Sequence, residues 1–398
     1  MKLSPIKKIG YRLYGILYTI FRLLPVRSDM VYFIMTHDSS SEGNCGVMRQ
    51  YFETHPQDGR PFCCECLTRS DTLKGSFIFR SALILARSRY VFTDNAFLPL
   101  AYLKLRKGTV LVQLWHGTGT IKKFGQHVNE GELKALEARC GRNISYVTVS
   151  SAATRDIYAE CFAVPADRVL VNGLPRTDAL FDAQYISDSR AVFEKRYPKV
   201  RGRRLILYAP TFRDDPTSED DQLIKIRELA GAIIGASDPD ICLALRLHPS
   251  LSDSLKASFA DLAATDSIID VSSYPCVNTL LCSTDILITD YSSIIFEYSL
   301  LRRPMLFYAY DLEHFTASDR GFYRDYEAYV PGPVCLTSTA VAEALRTLSS
   351  PAGVSATSVL AAPDTLHGSH SLDAFIADSF AYTDGRSAER LYDFITSL

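Results

Sequence analysis

Four short runs in this 398-residue chain gather the residue types that phosphate chemistry needs. The first is VLVQLWHGTGTIKKFG, Val110 to Gly125, where strand-forming residues stop at Trp115, the only tryptophan, and His116. Gly117, Thr118 and Gly119 let backbone amides come close to a ligand. His116 offers a pKa suited to proton transfer near neutrality, and Lys122 and Lys123 supply charge for a phosphate. Alone, a histidine in a glycine turn reads first as structural. GTGTIK also departs from the dinucleotide fingerprint, because Lys122 stands where a third glycine belongs.

The second run, LYAPTFRDD, halts a strand at Pro210 and presents Thr211 as a hydroxyl donor and Arg213 as a phosphate or carboxylate clamp. In the third, LALRLHPS, strand alternation places Arg246 and His248 on one side, opposite Leu245 and Leu247. A cation pair on an apolar strand is costly to bury unless it meets an anion. The fourth, ILITDYSSIIFEYSLLRRP, closes a strand at Asp290, sets Ser292 and Ser293 where a helix begins, and puts Glu297 one turn beyond. A helix start with free amides and hydroxyls suits an anion; an ordinary N-cap is the plainer alternative.

No Walker loop, HExxH, GxSxG or DxD after a strand is present, and Asp238 and Asp240 flank Pro239 in a turn. The residues favour metal-independent, cofactor-free handling of a phosphate-bearing ligand. A composition of 47% hydrophobic and 22% charged residues with net charge -2 is that of a globular enzyme and argues against a nucleic-acid coat. The ten cysteines are scattered; Cys63, Cys64 and Cys66 lack the second pair of a structural zinc site and read as ordinary thiols.

The elements that must position these runs alternate strand and helix. Strands are expected from Val31, Tyr90, Val110, Tyr146 and Val169, then, after the charged stretch EKRYPKVRGRR, from Leu205, Ile241, Ile268, Ile286 and Pro304. This rhythm implies two doubly wound parallel-sheet domains facing a cleft, with ligands at the strands' carboxyl ends. The expected division is residues 28–195 and 196–380, with a terminal helix, 381–398, returning to the first domain.

Residues 1–27 carry Lys2, Lys7, Lys8, Arg12, Arg22 and Arg27 with no acid. At the helical period Ile6, Ile9, Leu13, Ile16, Leu17, Ile20 and Leu24 share a face. The uninterrupted apolar stretch is too short to cross a bilayer, which needs about 20 residues, so a basic amphipathic helix in the interface of an anionic membrane is expected. The alternative is a first helix packed on its own domain.

Together these runs resemble the CDP-glycerol glycerophosphotransferase family of teichoic acid and capsule synthesis. The resemblance rests on VQLWHGT with KKFG, LYAPTFRD, LRLHP, the block ITDYSSIIFEYSLLRRPMLFYAYDLEHF, then RGFYRDYE, VPGP and DGRSAERLYDFI. It implies a GT-B fold of two Rossmann-like domains, the second holding CDP-glycerol. Glycerol phosphate would pass to a hydroxyl of a lipid-linked acceptor at the cytoplasmic membrane face, releasing CMP. His116 would be the general base and His248 would steady the diphosphate with Arg246 in support. Thr211, Arg213, Asp290, Ser292, Ser293 and Glu297 would shape the donor pocket, and Gly117, Thr118, Lys122 and Lys123 would meet acceptor or phosphate. Many members continue WHGT with proline and lysine; here Gly119 and Thr120 intervene, which bears on the acceptor. The rivals are ribitol phosphate transfer from CDP-ribitol, a GT-B glycosyltransferase using a nucleotide sugar, and an idle membrane-bound scaffold.

Overall fold

A computed structural model describes residues 3–211, 213, 219–235, 240–247, 265–318, 321–349, 365–366 and 370–398. The chain forms two compact units, Met1–Phe181 with Asp378–Leu398, and Asp182–Ala377. Each is built on one sheet.

The first unit's strands are β1 (Arg27–Met35), β2 (Cys63–Thr68), β3 (Ser88–Thr93), β4 (Val110–Gln113), β5 (Tyr146–Val149) and β6 (Val169–Val171). They lie in the order β2-β1-β3-β4-β5-β6, all parallel. The apolar runs of β1, β3 and β4 need cover on both faces, and the period-two alternation divides them. Tyr32 and Ile34 face a cluster with Val91 and Leu111. Val31 and Phe33 face one with Phe92, Val112, Leu391 and Ile395. Leu391 and Ile395 belong to the last helix, Ser387–Thr396. β2 was not expected from the sequence; its CCEC start read as thiols and hid the extended pattern.

Helices α1 (Pro5–Phe21), α2 (Asn44–Thr54), α3 (Phe77–Arg87), α4 (Gly131–Gly141) and α5 (Arg155–Phe162) cover this sheet. In α1, Ser4 accepts a hydrogen bond from the Lys7 amide at 3.4 Å and Pro5 takes the first turn. The face it buries is Tyr14, Gly15 and Tyr18. A Cβ on Gly15 would collide with the Tyr102 carbonyl, so only glycine permits that approach. Tyr14 and Tyr32 hydroxyls meet at Ser81 Oγ, at 2.9 and 2.8 Å. Of the expected aliphatic stripe Leu17 packs against the core, while Ile6 is 82% exposed, Ile9 65%, Leu13 45%, Ile16 58% and Ile20 53%. Among the described residues no helix is long and apolar enough to cross a membrane.

The second unit holds β7 (Arg204–Ala209), β8 (Ile241–Leu245), β9 (Ile268–Asp270), β10 (Ile286–Thr289), β11 (Met305–Tyr308), β12 (Val334–Cys335) and β13 (Thr365–Leu366). The order is β13-β12-β11-β10-β7-β8-β9, parallel except for the β12/β13 pair. Helix α6 (Ala183–Arg196), placed before the boundary in the sequence reading, belongs to this unit. Arg190 binds it there, donating to the carbonyls of Ser283 and Arg203 at 2.6 and 3.0 Å and pairing with Asp285 at 3.1 Å. The change of domain therefore falls at Phe181 rather than at residue 195.

The last helix has no cap of its own; Asp178 accepts from the amides of Ser387 and Ala388 at 2.9 and 2.8 Å. Replacing Asp178 by alanine strands both amides and should destabilise the first unit by about 1 kcal/mol. Urea unfolding followed by Trp115 fluorescence checks this, and an unchanged midpoint would show the cap to be dispensable.

Candidate active site

β4 ends at Gln113, and the chain then turns through Trp115 with φ 56°, a left-handed conformation that bulky residues rarely adopt. Neighbours hold it there. The Trp115 amide donates to Gln113 Oε1 at 2.9 Å, and its carbonyl accepts from Asn44 Nδ2 at 3.0 Å. The indole stacks on Phe124, with centroids 5.4 Å apart, and meets Phe162 edge-on at 5.1 Å. It also walls a cavity of about 30 Å³ lined by Thr93, Gln113, Phe124, Glu137 and Phe162, room for a guest the size of water.

The turn delivers His116 to the end of β3. Its Nδ1 lies 2.8 Å from the Asp94 carbonyl. A carbonyl only accepts, so Nδ1 carries the hydrogen and Nε2 of the neutral ring keeps its lone pair. Among the described residues Nε2 meets no hydrogen-bond partner. Burial, the His37 ring and Arg176 together pull the His116 pKa down to about 3, against the Asp94 bond that favours protonation. The ring is thus neutral at physiological pH.

Asp94 also works through its carboxylate, which accepts from the backbone amides of Thr36 at 3.0 Å, His37 at 3.2 Å and Asp38 at 2.8 Å. Burial outweighs these amides and, with the nearby Asp38, pushes its pKa up to about 6. The amides fix the loop after β1, and the His37 ring lies flat on His116, with centroids 3.7 Å apart and planes 14° apart.

Gly117 and Gly119 present their carbonyls to the Tyr158 hydroxyl at 2.6 and 3.1 Å, and Thr118 Oγ1 accepts from Arg176 Nη2 at 2.9 Å. Asn44 Oδ1 accepts the Arg176 amide at 3.0 Å. Lys122 and Lys123 are half-buried in the same loop. The structure therefore adds His37, Asn44, Asp94, Tyr158 and Arg176 to the residues read from sequence. The signal available was position: THD follows β1, TDN follows β3 and NGLPR follows β6. None carries a spacing that marks it.

In the second unit, Thr211, Arg213 and Asp290 come together. Of the two partners read for the Arg213 clamp, phosphate or carboxylate, the structure shows carboxylates, and the side chain is 6% exposed. Its Nε and Nη2 fork onto Asp311 at 2.8 and 3.0 Å, and Nη1 donates to the Thr211 carbonyl at 2.8 Å and lies 3.0 Å from Asp290. The rings of Tyr291, Tyr310 and Phe315 surround it. Burial opposes its charge, yet Asp290 and Asp311 outweigh burial and raise its pKa. A buried guanidinium so paired is a strut between loops. Fully buried Asp290 accepts the amides of Thr211 and Tyr291 at 2.8 and 2.7 Å. Thr211 Oγ1 is buried without a hydrogen-bond partner among the described residues.

Ser293 precedes the helix Ile294–Leu300 but makes no side-chain cap bond, while Ser292 Oγ accepts from the Ile294 amide at 3.4 Å. Both serines are half-buried and Glu297 is buried. β8 ends at Leu245, so Arg246 lies beyond the strand rather than on its face. Its Nη1 donates to the Tyr274 carbonyl at 3.0 Å, and burial lowers its pKa. His248 lies outside the described residues.

Residues 16–397 match the family described as CDP-glycerol:poly(glycerophosphate) glycerophosphotransferase. The chain belongs to this family. It is 30% identical over 391 residues to a teichoic acid poly(ribitol-phosphate) polymerase of Bacillus spizizenii, covering 98% of this chain and 59% of that protein. It is 30% identical over 329 residues to a teichoic acid glycerol-phosphate primase of Bacillus subtilis, covering 81% of this chain and 77% of the primase. The wall teichoic acid polymerase TagF superposes with TM-score 0.73 at 22% identity, over 98% of this chain and 95% of that structure. The fold is thus GT-B-like, with two parallel-sheet domains of the TagF kind.

Asn44 ties the Trp115 turn to the Arg176 loop. Asn44→Ala removes both links at a cost of about 1–3 kcal/mol, and amide hydrogen exchange at residues 115–119 should quicken more than at the β1 core. Equal exchange in both proteins would show that the turn holds its shape without Asn44.

Proposed function

We propose that this enzyme transfers glycerol phosphate from CDP-glycerol to a hydroxyl of a lipid-linked acceptor, releasing CMP, in the synthesis of teichoic acid or a related wall or capsule polymer. The observation that carries the reading is the tautomer lock at His116: with Nδ1 tied to the Asp94 carbonyl, Nε2 is the nitrogen able to take the acceptor's proton. The acceptor oxygen attacks the β-phosphorus, the bond to the bridging oxygen breaks, and CMP leaves with the electron pair. A base of pKa about 3 is unprotonated but weak. The negative charge of a bound diphosphate raises it toward the useful range.

Arg176, Lys122 and Lys123 offset charge on the acceptor side, with Gly117 and Thr118 shaping the loop. Thr211, Ser292 and Ser293 contact the donor. Arg213, Asp290 and Glu297 hold the donor pocket's shape, and Arg246 and His248 steady the leaving group. Such a transfer depends on alignment and charge neutralisation. TagF has been solved after soaking with CDPG, which supports a donor of this class. The second reading is ribitol phosphate from CDP-ribitol, supported by the poly(ribitol-phosphate) polymerase that matches 98% of this chain.

The assay incubates the protein with CDP-glycerol, CDP-ribitol or UDP-sugars and a lipid-linked acceptor analogue, following nucleotide release. CMP from CDP-glycerol alone is expected, and its loss by at least 100-fold in His116→Ala with donor binding retained. CMP from CDP-ribitol alone selects the second reading, and UDP from a sugar donor overturns both.

We further propose that α1 seats the enzyme on an anionic membrane. Its tyrosine face is committed to the protein, while Ile6, Ile9, Leu13, Ile16, Ile20 and Leu23 stand exposed. Phe79 of α3, 56% exposed and 5.0 Å from Phe21, extends the patch. Lys7 and Arg12 flank it. Changing Ile9 and Ile16 together to aspartate should abolish sedimentation with phosphatidylglycerol vesicles and leave Trp115 fluorescence unchanged. Undiminished sedimentation would remove the proposal.

A further inference from the structure

The stacked imidazole of His37 is not accounted for by the family's motifs or by the transfer step. His37 is exposed, yet its ring is the lid on one face of His116. Both rings are referenced to a single residue. Asp94 holds the His37 backbone amide with both carboxylate oxygens at 3.2 Å, and holds His116 Nδ1 with its carbonyl at 2.8 Å. The Trp115 ring lies on His116 as well, with centroids 4.0 Å apart. His116 is thus confined by the rings of His37 and Trp115 and pinned at one nitrogen, leaving Nε2 as its working atom.

We propose that His37 is a positioning residue for His116, its ring fixing the imidazole plane and its charge, when protonated, adding to burial in disfavouring a proton on His116. Two imidazolium rings stacked face to face repel, so a proton on exposed His37 disfavours one on His116. The other charged groups facing His116 come from three loops. Arg176, after β6, acts in the same sense as His37. Asp94, after β3, and Asp38, after β1, are acidic neighbours, and Asp94 is itself held largely protonated below about pH 6 by burial. Over the acid range the cations therefore dominate. A bound diphosphate reverses that balance, so His116 becomes an effective base when the donor's charge is present.

This inference rests on His116 as the base, but its first test needs no substrate. The full chain, labelled with ¹⁵N and ¹³C in histidine, is titrated by NMR; His116 is assigned by its absence in His116→Gln. In the wild type His116 should stay in the Nδ1-protonated neutral form through the range near pH 6.5 where an ordinary histidine titrates. His37→Phe keeps a stacked ring without the charge and should raise the His116 midpoint by about one pH unit. His37→Ala also exposes the ring face and should raise it further. Coincident titrations of wild type and His37→Phe overturn the proposal, whatever His37→Ala does. In turnover, the acid limb of kcat/KM should shift in the same order. Shifted NMR midpoints with an unmoved acid limb would fault the base assignment and leave the His37 effect standing.

Discussion

The left-handed turn at Trp115 is the constraint on which the amino-terminal site depends. A bulky residue at φ 56° is strained, and such strain persists only where the surroundings over-determine it. Gln113 holds the amide, Asn44 the carbonyl, and Phe124 and Phe162 the indole. The single tryptophan is thus the lever that swings the chain so that its neighbour reaches the Asp94 carbonyl. The reward is a histidine with a defined tautomer, held neutral by burial and by cationic neighbours. Asp94 is the second fixed point, its carboxylate ordering the loop after β1 and its carbonyl ordering His116.

In the carboxyl-terminal unit the corresponding constraint is a buried charge network. Arg213 lies between the carboxylates of Asp290 and Asp311 among tyrosines, and the Tyr326 hydroxyl donates to the Asp290 carbonyl at 2.8 Å. A buried pair of this kind is costly to break because the survivor is left charged and unpaired. Its service is to shape the loops that follow β7 and β10. Residues that read as ligand contacts are in part the frame that holds neighbouring hydroxyls and amides in place.

Helix α1 sorts its side chains by face. Its polar-tipped aromatics Tyr14 and Tyr18 turn inward, where their hydroxyls meet Ser81 and the Arg106 amide, at 2.9 and 3.1 Å. Its aliphatic residues other than Leu17 turn outward. An ordinary surface helix does the reverse, and this inversion is what supports the proposed seating of α1 on a membrane.

Ten strands and the alternating architecture were legible in the sequence, because buried parallel strands are continuous apolar runs and their ends are marked by glycine, proline, serine and aspartate. The run containing His116 was legible as well, and so was the family. β2 escaped because cysteines obscured its alternation, and the domain boundary was displaced because α6 carries the charges of a linker yet docks through Arg190. What tertiary structure alone decided is which charges are available. Arg213 reads in sequence as a phosphate or carboxylate clamp, but burial and a carboxylate from a distant loop, Asp311, commit it internally. His37, Asp94 and Arg176, far apart along the chain, gather at His116 only because parallel β-strands bring their carboxyl ends to one side of the sheet. Local pattern fixes which segments extend or coil; the tautomer, charge and orientation of a side chain are set by neighbours that sequence spacing does not reveal.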